Sequence, residues 1–264
     1  MKIPDPHRLT SACLPPVQVL AEHFAPISLA EMDGVRLMNR TDAKFVLRAD
    51  ELPGLLAALR ADYRCLSLDG QRLCGYETLY FDTPDLHLYH EHRTGRLNRY
   101  KIRQRRYVAS GLTFTEVKRK TNKGRTVKTR IEQPDGVRPV FDEESRRFLG
   151  QHTPLDPDAL RPTLWVSYTR LTLVSRATAE RLTFDVDLHF FDGTQRLSYP
   201  QLVVAEAKQD ARLASPFRAL MKQHRLREGA LSKYCLGLIS LDASLPRNRF
   251  KARFRRLQTL LTPD

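Results

Sequence analysis

Seven stretches of this sequence set long polar side chains two residues apart, charged at both positions in all but one. They are Arg40-Thr41-Asp42-Ala43-Lys44, Lys101-Ile102-Arg103-Gln104-Arg105, Glu116-Val117-Lys118-Arg119-Lys120, Lys128-Thr129-Arg130, Tyr168-Thr169-Arg170, Arg181-Leu182-Thr183-Phe184-Asp185-Val186-Asp187 and Glu206-Ala207-Lys208. Residues two apart on a β-strand share a face, so each stretch gathers its ions on one side. The other side is often apolar, as at Phe45, Ile102, Val117, Leu182, Phe184, Ala205 and Ala207. With Lys233 added, the face-matched positions hold eleven cations (Arg40, Lys44, Arg103, Arg105, Lys118, Lys120, Lys128, Arg170, Arg181, Lys208, Lys233) and five acids (Asp42, Glu116, Asp185, Asp187, Glu206). Arg grips phosphoryl oxygens in bidentate fashion and Lys acts as a point charge, so such a surface suits a ladder of phosphates with no base to read.

For any single strand, a charged face turned to water is the ordinary arrangement. The repetition leaves two options for the whole sheet: a broad positive slab, or a barrel whose interior carries the charge. Barrels of about eight strands are just wide enough for side chains or one slender ligand. Uncompensated cations crowded inside would be strongly destabilising, so such a lumen implies a bound polyanion and water.

The elements that must position these residues follow from periodicity. A strand is expected from Val35 and Leu37 to Leu47, then a helix opened by Asp50-Glu51 and running to about Tyr63. Strands follow at Tyr76–Phe81 and at about 97–108, 112–120 and 125–131, the last three joined by Ala109-Ser110-Gly111 and Asn122-Lys123-Gly124 as hairpin turns. A helix near 142–150 takes Asp142 as N-cap and Gly150 just past its end. Strands resume at about 162–175, 180–187 and 201–208, and helices close the chain at 216–227 and 231–240. About eight strands in one continuous run, with no internal linker or repeat, predict an α+β fold on a closed antiparallel eight-stranded β-barrel with helices packed outside.

The chain has 264 residues, 44 Lys+Arg against 30 Asp+Glu and a net charge of +14, with 41% hydrophobic residues that suffice for a sizeable core. These figures exclude disorder, collagen and disulfide scaffolds. The positive excess points to a polyanionic partner: nucleic acid, an anionic membrane, a nucleotide or a phosphate polymer. Against RNA, the cationic strands lack interleaved aromatics and any RNP, KH or zinc-knuckle signature. Cys13, Cys65, Cys74 and Cys235 have no metal-type spacing and read as reduced core residues. No stretch approaches the roughly 18 apolar residues of a membrane span, and the N-terminus lacks a signal-peptide core, so a cytoplasmic protein is expected.

The series Arg40-x-Asp42-x-Lys44, Tyr80-Phe81-Asp82-Thr83-Pro84-x-x-x-x-Tyr89, Lys101-Ile102-Arg103-Gln104-Arg105, Glu116-Val117-Lys118-Arg119-Lys120, Tyr168-Thr169-Arg170, Arg181-x-Thr183-x-Asp185, Glu206-x-Lys208 and Leu231-Ser232-Lys233-Tyr234 resembles the VTC domain. That is the polyphosphate-polymerase domain of the vacuolar transporter chaperone family and its stand-alone bacterial relatives, within the CYTH/triphosphate tunnel metalloenzyme superfamily. Each motif is weak alone, and eight in the family's order are specific. The resemblance divides the chain into an irregular lead-in (1–33), a tunnel domain (34–242) and a basic tail (243–264).

The resemblance implies a metal-dependent transfer of the γ-phosphoryl group of ATP onto a growing polyphosphate chain inside the tunnel. Lys44, Arg103, Arg105, Lys118, Lys128, Arg170, Arg181 and Lys233 match the family's phosphate-binding cations. Tyr168 and Ser232 match its hydroxyl donors, and Glu206 matches its metal-binding carboxylate. Arg40, Lys120 and Lys208 are further substrate-binding candidates, and Asp185 a helper to Glu206 in holding Mg2+ or Mn2+, with ion pairing to neighbouring cations as its alternative. Two departures stand out: the superfamily's opening Glu-x-Glu-x-Lys is Arg40-x-Asp42-x-Lys44 here, and Ala230 replaces an expected lysine.

A terminal phosphate acceptor is already deprotonated at neutral pH and needs no general base, so no histidine is assigned one. His87, His90 and His92 are expected on a solvated surface helix. Two other functions stay open: a tunnel triphosphatase releasing orthophosphate from tripolyphosphate or a nucleotide, and a non-catalytic polyphosphate-binding module. The basic tail has an apolar side at Phe250, Phe254, Leu257, Leu260 and Leu261, which suits a helix docked on the barrel or, as the second option, a peripheral membrane contact.

Overall fold

The computed structural model describes residues 14–33, 40–210, 213–229 and 232–261. In chain order the elements are α1 (Leu14–Glu22), β1 (Ala25–Ile27), α2 (Leu29–Asp33), β2 (Arg40–Arg48), α3 (Leu52–Leu59), β3 (Tyr63–Leu66), β4 (Leu73–Asp82), α4 (His87–Thr94), β5 (Arg99–Tyr107), β6 (Thr113–Lys120), β7 (Thr126–Glu132), α5 (Glu143–His152), β8 (Arg161–Ser175), β9 (Glu180–Phe191), β10 (Arg196–Tyr199), β11 (Leu202–Asp210), α6 (Pro216–Gln223), α7 (Lys233–Leu241) and α8 (Lys251–Leu261). Eight long strands pair antiparallel in the order β2-β11-β9-β8-β4-β5-β6-β7. Every strand that carries an alternating charge pattern lies on this path.

The fold is α+β around a large antiparallel sheet. Among the described residues no pairing joins β7 to β2, so hydrogen bonding does not close the barrel expected from the sequence. The outer edge of β2 meets another segment: the Gly229 amide donates to the Lys44 carbonyl at 2.8 Å, just upstream of α7. The chain therefore covers this edge with a loop, one of the ways proteins blunt an unpaired strand.

The apolar parity of the strands faces outward onto helices. Phe45, Leu47, Leu173, Leu182, Phe184 and Ala205 pack with Leu52, Leu55, Leu56 and Leu59 of α3 and with Phe217 and Met221 of α6. Leu79, Phe81, Ile102 and Val117 pack with Phe148 and Leu149 of α5. Each fully buried Leu or Phe of these clusters contributes roughly 1.5–3 kcal/mol. α7 lies against the far half of β8 and β9, where Leu164, Val166 and Phe190 replace ions. Gly237 permits that approach, because a Cβ there would stand 2.4 Å from Phe190 and 2.6 Å from Leu164.

Several details differ from the sequence expectation. The lead-in holds α1, β1 and α2, and β1 pairs in parallel with β3. The helix opened by Asp50 and Glu51 ends at Leu59; Tyr63 instead starts β3, which pairs with β8 and buries its ring. Asp142 caps α5 by accepting from the Ser145 amide at 2.7 Å, but the helix runs past Gly150 to His152. α6 stops at Gln223. Gly111 and Gly124 adopt the positive φ their hairpin turns require, at 71° and 72°. In the tail, α8 buries Leu257 and packs Phe254 against the core, and Phe250 in the turn before it packs there too. Val35, Leu37, Cys13, Ala230 and Leu231 lie outside the described residues, as do the side chains of Arg40 and Leu261.

Candidate anion-binding site

Strand register turns the charged parity into rows across the sheet. Lys101 stands opposite Lys118, Arg103 opposite Glu116, and Lys118 opposite Lys128. Arg170 stands opposite Asp185, Lys208 opposite Arg181, and Glu206 opposite Lys44. On a flat open face such long side chains would be well solvated. Here the exposures are only 13% for Lys233, 14% for Lys208, 15% for Arg170, 16% for Arg103 and 28% for Lys44. The sheet curls: a cavity of about 320 Å³ is lined by Asp42 and Lys44 of β2 together with Lys101 of β5, Lys118 and Lys120 of β6 and Thr126 of β7. The two ends of the strand path thus face one another across the ions.

Two buried carboxylates organise part of this interior. Glu116, 1% exposed, accepts from Arg103 Nε and Nη2, each at 2.7 Å, and from Lys128. Asp185 accepts from Arg170 Nε at 2.5 Å and Nη2 at 2.9 Å, and from Lys233. Burial alone would push both acids up, but Arg103 and Arg105 bring the Glu116 carboxyl down to about 2, and Arg170 and Lys233 hold Asp185 well below the usual range. An aromatic wall backs these pairs. Tyr76 and Tyr168 stack 5.2 Å apart, with Arg170 4.8 Å from the Tyr76 centroid, Arg105 5.5 Å from it, and Lys233 Nζ 4.5 Å from Tyr168. Tyr168, expected to donate its hydroxyl, therefore presents its ring to cations.

Other lumen cations stand farther from their carboxylates, or have none at ion-pair distance among the described residues. Glu206 lies 3.3 Å from Lys44 and 3.4 Å from Lys208. Burial opposes its charge, yet Lys208, Lys44 and Arg170 pull its carboxyl down to about 2. Among the described residues no carboxylate stands within ion-pair distance of Lys101 or Lys118. Burial, then the nearby Lys44, Arg103 and Lys101, lower Lys118 to about 7. Burial brings Lys128 and Lys208 to about 8, despite the opposing Glu116 and Glu206.

The expected positions thus converge, with exceptions. Lys44, Arg103, Arg105, Lys118, Lys128, Arg170, Arg181, Lys208 and Lys233 share one face of the curled sheet or, for Lys233, the helix end that meets it. Lys120 lines the cavity and donates to the Gly124 carbonyl. Ser232 lines it too, and its Oγ caps α7 by accepting from the Cys235 amide at 3.4 Å, which leaves the hydroxyl proton free to donate. Asp187 leaves the expected row: it sits at φ 54° beside a register shift and pairs with His189 Nε2 at 2.9 Å. Asp185, with both oxygens occupied by cations, takes the ion-pair alternative. No group of three or more His, Cys, Asp or Glu side chains able to hold a metal occurs among the described residues.

His92 also departs from expectation. It is half-buried, its Nε2 within 3.1 Å of the Tyr100 carbonyl, and its Nδ1 accepts from Arg99 Nε at 3.1 Å. Burial, with Lys101 and Arg99 nearby, lowers it to about 2 and keeps it neutral. Lys101 and Arg99 also line the cavity, and Tyr76 and Tyr80 back the arginines beside it, without having been singled out as site residues; the parity of Lys101 with Arg103 was the available signal.

A family model described as the VTC domain matches residues 39–242, and this match takes in all the strands just described except β1. The chain belongs to the VTC domain family. No curated protein matches it. Similar solved structures include a candidate adenylate cyclase from Bacillus halodurans (13% identity, TM-score 0.47, covering 74% of this chain and 96% of that one). Another from Vibrio parahaemolyticus shares 14% identity at a TM-score of 0.46, covering 76% of this chain and 99% of that one. A Hippeastrum adenylyl cyclase candidate with a dominant triphosphatase activity shares 14% at 0.45, covering 80% and 99%. Membership of the VTC domain family supports a function on triphosphate or polyphosphate. No helix among the described residues is long and apolar enough to cross a membrane.

Proposed function

We propose that this VTC domain is a polyphosphate polymerase that transfers the γ-phosphoryl group of ATP to the end of an inorganic polyphosphate chain held in the cationic cavity. The observation that carries this reading is the charge imbalance of the curled face: its buried acids are engaged by cations, and among the described residues no carboxylate stands at ion-pair distance from Lys101 or Lys118. A long polyanion supplies what the protein lacks. Phosphoryl transfer asks chiefly for positioning and charge neutralisation. Arg103, Arg105 and Arg170, braced by ion pairs, by Thr78 or by tyrosine rings, hold their guanidinium groups preorganised for phosphoryl oxygens.

No general base is required, because the attacking group is a phosphate oxygen already deprotonated at neutral pH. The half-buried His92 suits this, being neutral and engaged at both ring nitrogens. For a divalent ion the donors at hand are Glu206, whose cations stand at 3.3 and 3.4 Å, and Asp42 in the cavity lining, whereas Arg170 holds Asp185 more closely, at 2.5 and 2.9 Å. One or two carboxylates plus substrate phosphates make an ordinary donor set for Mg2+ or Mn2+. When bound, such an ion would neutralise charge on the triphosphate.

A tunnel triphosphatase is the second reading, since a cationic cavity of about 320 Å³ also accommodates a short triphosphate. Incubating the purified protein with ATP and Mn2+ and resolving the products on a gel separates the two. Long-chain polymer plus ADP is expected for the polymerase; orthophosphate without polymer would assign the hydrolase.

A further inference from the structure

Lys101 belongs to none of the positions that the family resemblance assigns, yet it faces the cavity from β5. Directly opposite stands Lys118, a like-charge pair that destabilises a sheet unless something compensates it. The neighbouring cations do have partners: Lys44 has Glu206 at 3.3 Å, and Lys120 donates to the Gly124 carbonyl. Among the lining residues the only carboxylates are Asp42 and Glu228, and neither is within ion-pair distance of Lys101 or Lys118. Two half-buried ammonium groups with no carboxylate at ion-pair distance are costly, and an anion in the cavity removes that cost.

Beside them Arg99 is held at the cavity rim. Its Nε donates to His92 Nδ1 at 3.1 Å and its Nη1 to the Arg96 carbonyl at 2.7 Å. The contact of His92 Nε2 with the Tyr100 carbonyl at 3.1 Å requires the proton on Nε2, which leaves Nδ1 as the acceptor Arg99 needs. The brace orders the guanidinium without neutralising it.

We propose that Lys101, with Lys118 and the rim residue Arg99, forms a further phosphate subsite that takes up a phosphoryl group of an extended inorganic chain. This rests on the phosphate-chain reading above and deepens it. Arg103 and Arg105 follow Lys101 on the same face of β5, so a chain lying along this strand passes from their guanidinium groups to the Lys101 subsite only if it is long enough. The subsite therefore selects for chain length.

Calorimetric titration of the full chain and of Lys101→Met, with pyrophosphate and with a linear polyphosphate of about ten phosphates, tests this. The variant should bind the longer chain about tenfold more weakly, the factor carried by one charge-assisted contact, and pyrophosphate within about twofold of wild type. Its ligand-free melting temperature should not fall, because a half-buried cation with no carboxylate partner has been removed; Lys101→Arg should keep the longer chain's affinity. Equal losses for both probes, or none, would overturn the subsite while leaving the phosphate-chain reading standing. Failure of the wild type to bind either probe would overturn both.

Discussion

Lys101 and Arg103 lie two residues apart on one strand and face the same cavity, but their surroundings differ in kind. Arg103 has Glu116 at 2.7 Å and the Tyr80 hydroxyl at 3.2 Å, a finished ion pair of low exposure. Lys101 faces Lys118 and has no carboxylate at ion-pair distance among the described residues. The same contrast separates the Arg170–Asp185–Lys233 cluster from the β5–β6 lysine pair. One region is a frame that the protein completes by itself, which fixes guanidinium geometry before any ligand arrives. The other is left unfinished, with its missing charge to come from the substrate. Stability should reside in the first region and binding energy in the second.

The largest effect should come from breaking the frame. Asp185→Asn leaves Arg170 and Lys233 without their counter-charge and should cost about 3–5 kcal/mol, the range for one partner removed from a buried pair. Chemical denaturation measures it; an unchanged midpoint would erase the distinction between the regions. Lys118→Met should do the reverse, weakening tripolyphosphate binding by about 1.5–3 kcal/mol while leaving the ligand-free protein at least as stable. A loss of stability without a loss of affinity would place Lys118 in the frame instead.

The pH dependence sharpens the same contrast. Lys118 is lowered to about 7, chiefly by burial and then by Lys44 and Arg103, so the free protein loses this proton above pH 7. Bound phosphate favours the charged form, and the complex retains it. Affinity for tripolyphosphate should then fall roughly fivefold between pH 7 and pH 8, with the drop absent in Lys118→Met. For folding the sign is opposite: the unfolded chain keeps a proton that the folded one has released, so this group raises ligand-free stability as pH climbs from 7. A flat affinity profile in the wild type would remove Lys118 from the binding surface. The smallest effect belongs to Ser232→Ala, which deletes the cap of α7 and should cost about 1 kcal/mol of stability, read from the thermal midpoint.

Much of this architecture was legible in the residues, because a two-residue alternation of ion and apolar side chain allows only one face to be buried against helices. All eight path strands and the convergence of Arg103, Lys118, Arg170 and Glu206 follow from that period. What escaped it has local causes. Tyr63 leaves its helix because β8 offers a strand partner and a burial site, a tertiary gain that propensity does not register. Asp187 leaves its row through a bulge, and one extra residue inverts parity downstream. His92 is half-buried by the approach of Tyr100 and Arg99, residues that helix periodicity does not connect to it. Closure of the barrel failed as an expectation because the edge of β2 receives Gly229, from a loop with no strand signal.

The central claim is that the curled cationic face encloses a phosphate chain. A crystal structure of the protein grown with linear polyphosphate tests it most directly. The account predicts continuous density along the concave face, with phosphoryl oxygens in contact with Lys101, Lys118, Arg103 and Arg170. A chain bound to the exposed arginines of the outer helices, with the cavity holding solvent alone, would contradict it.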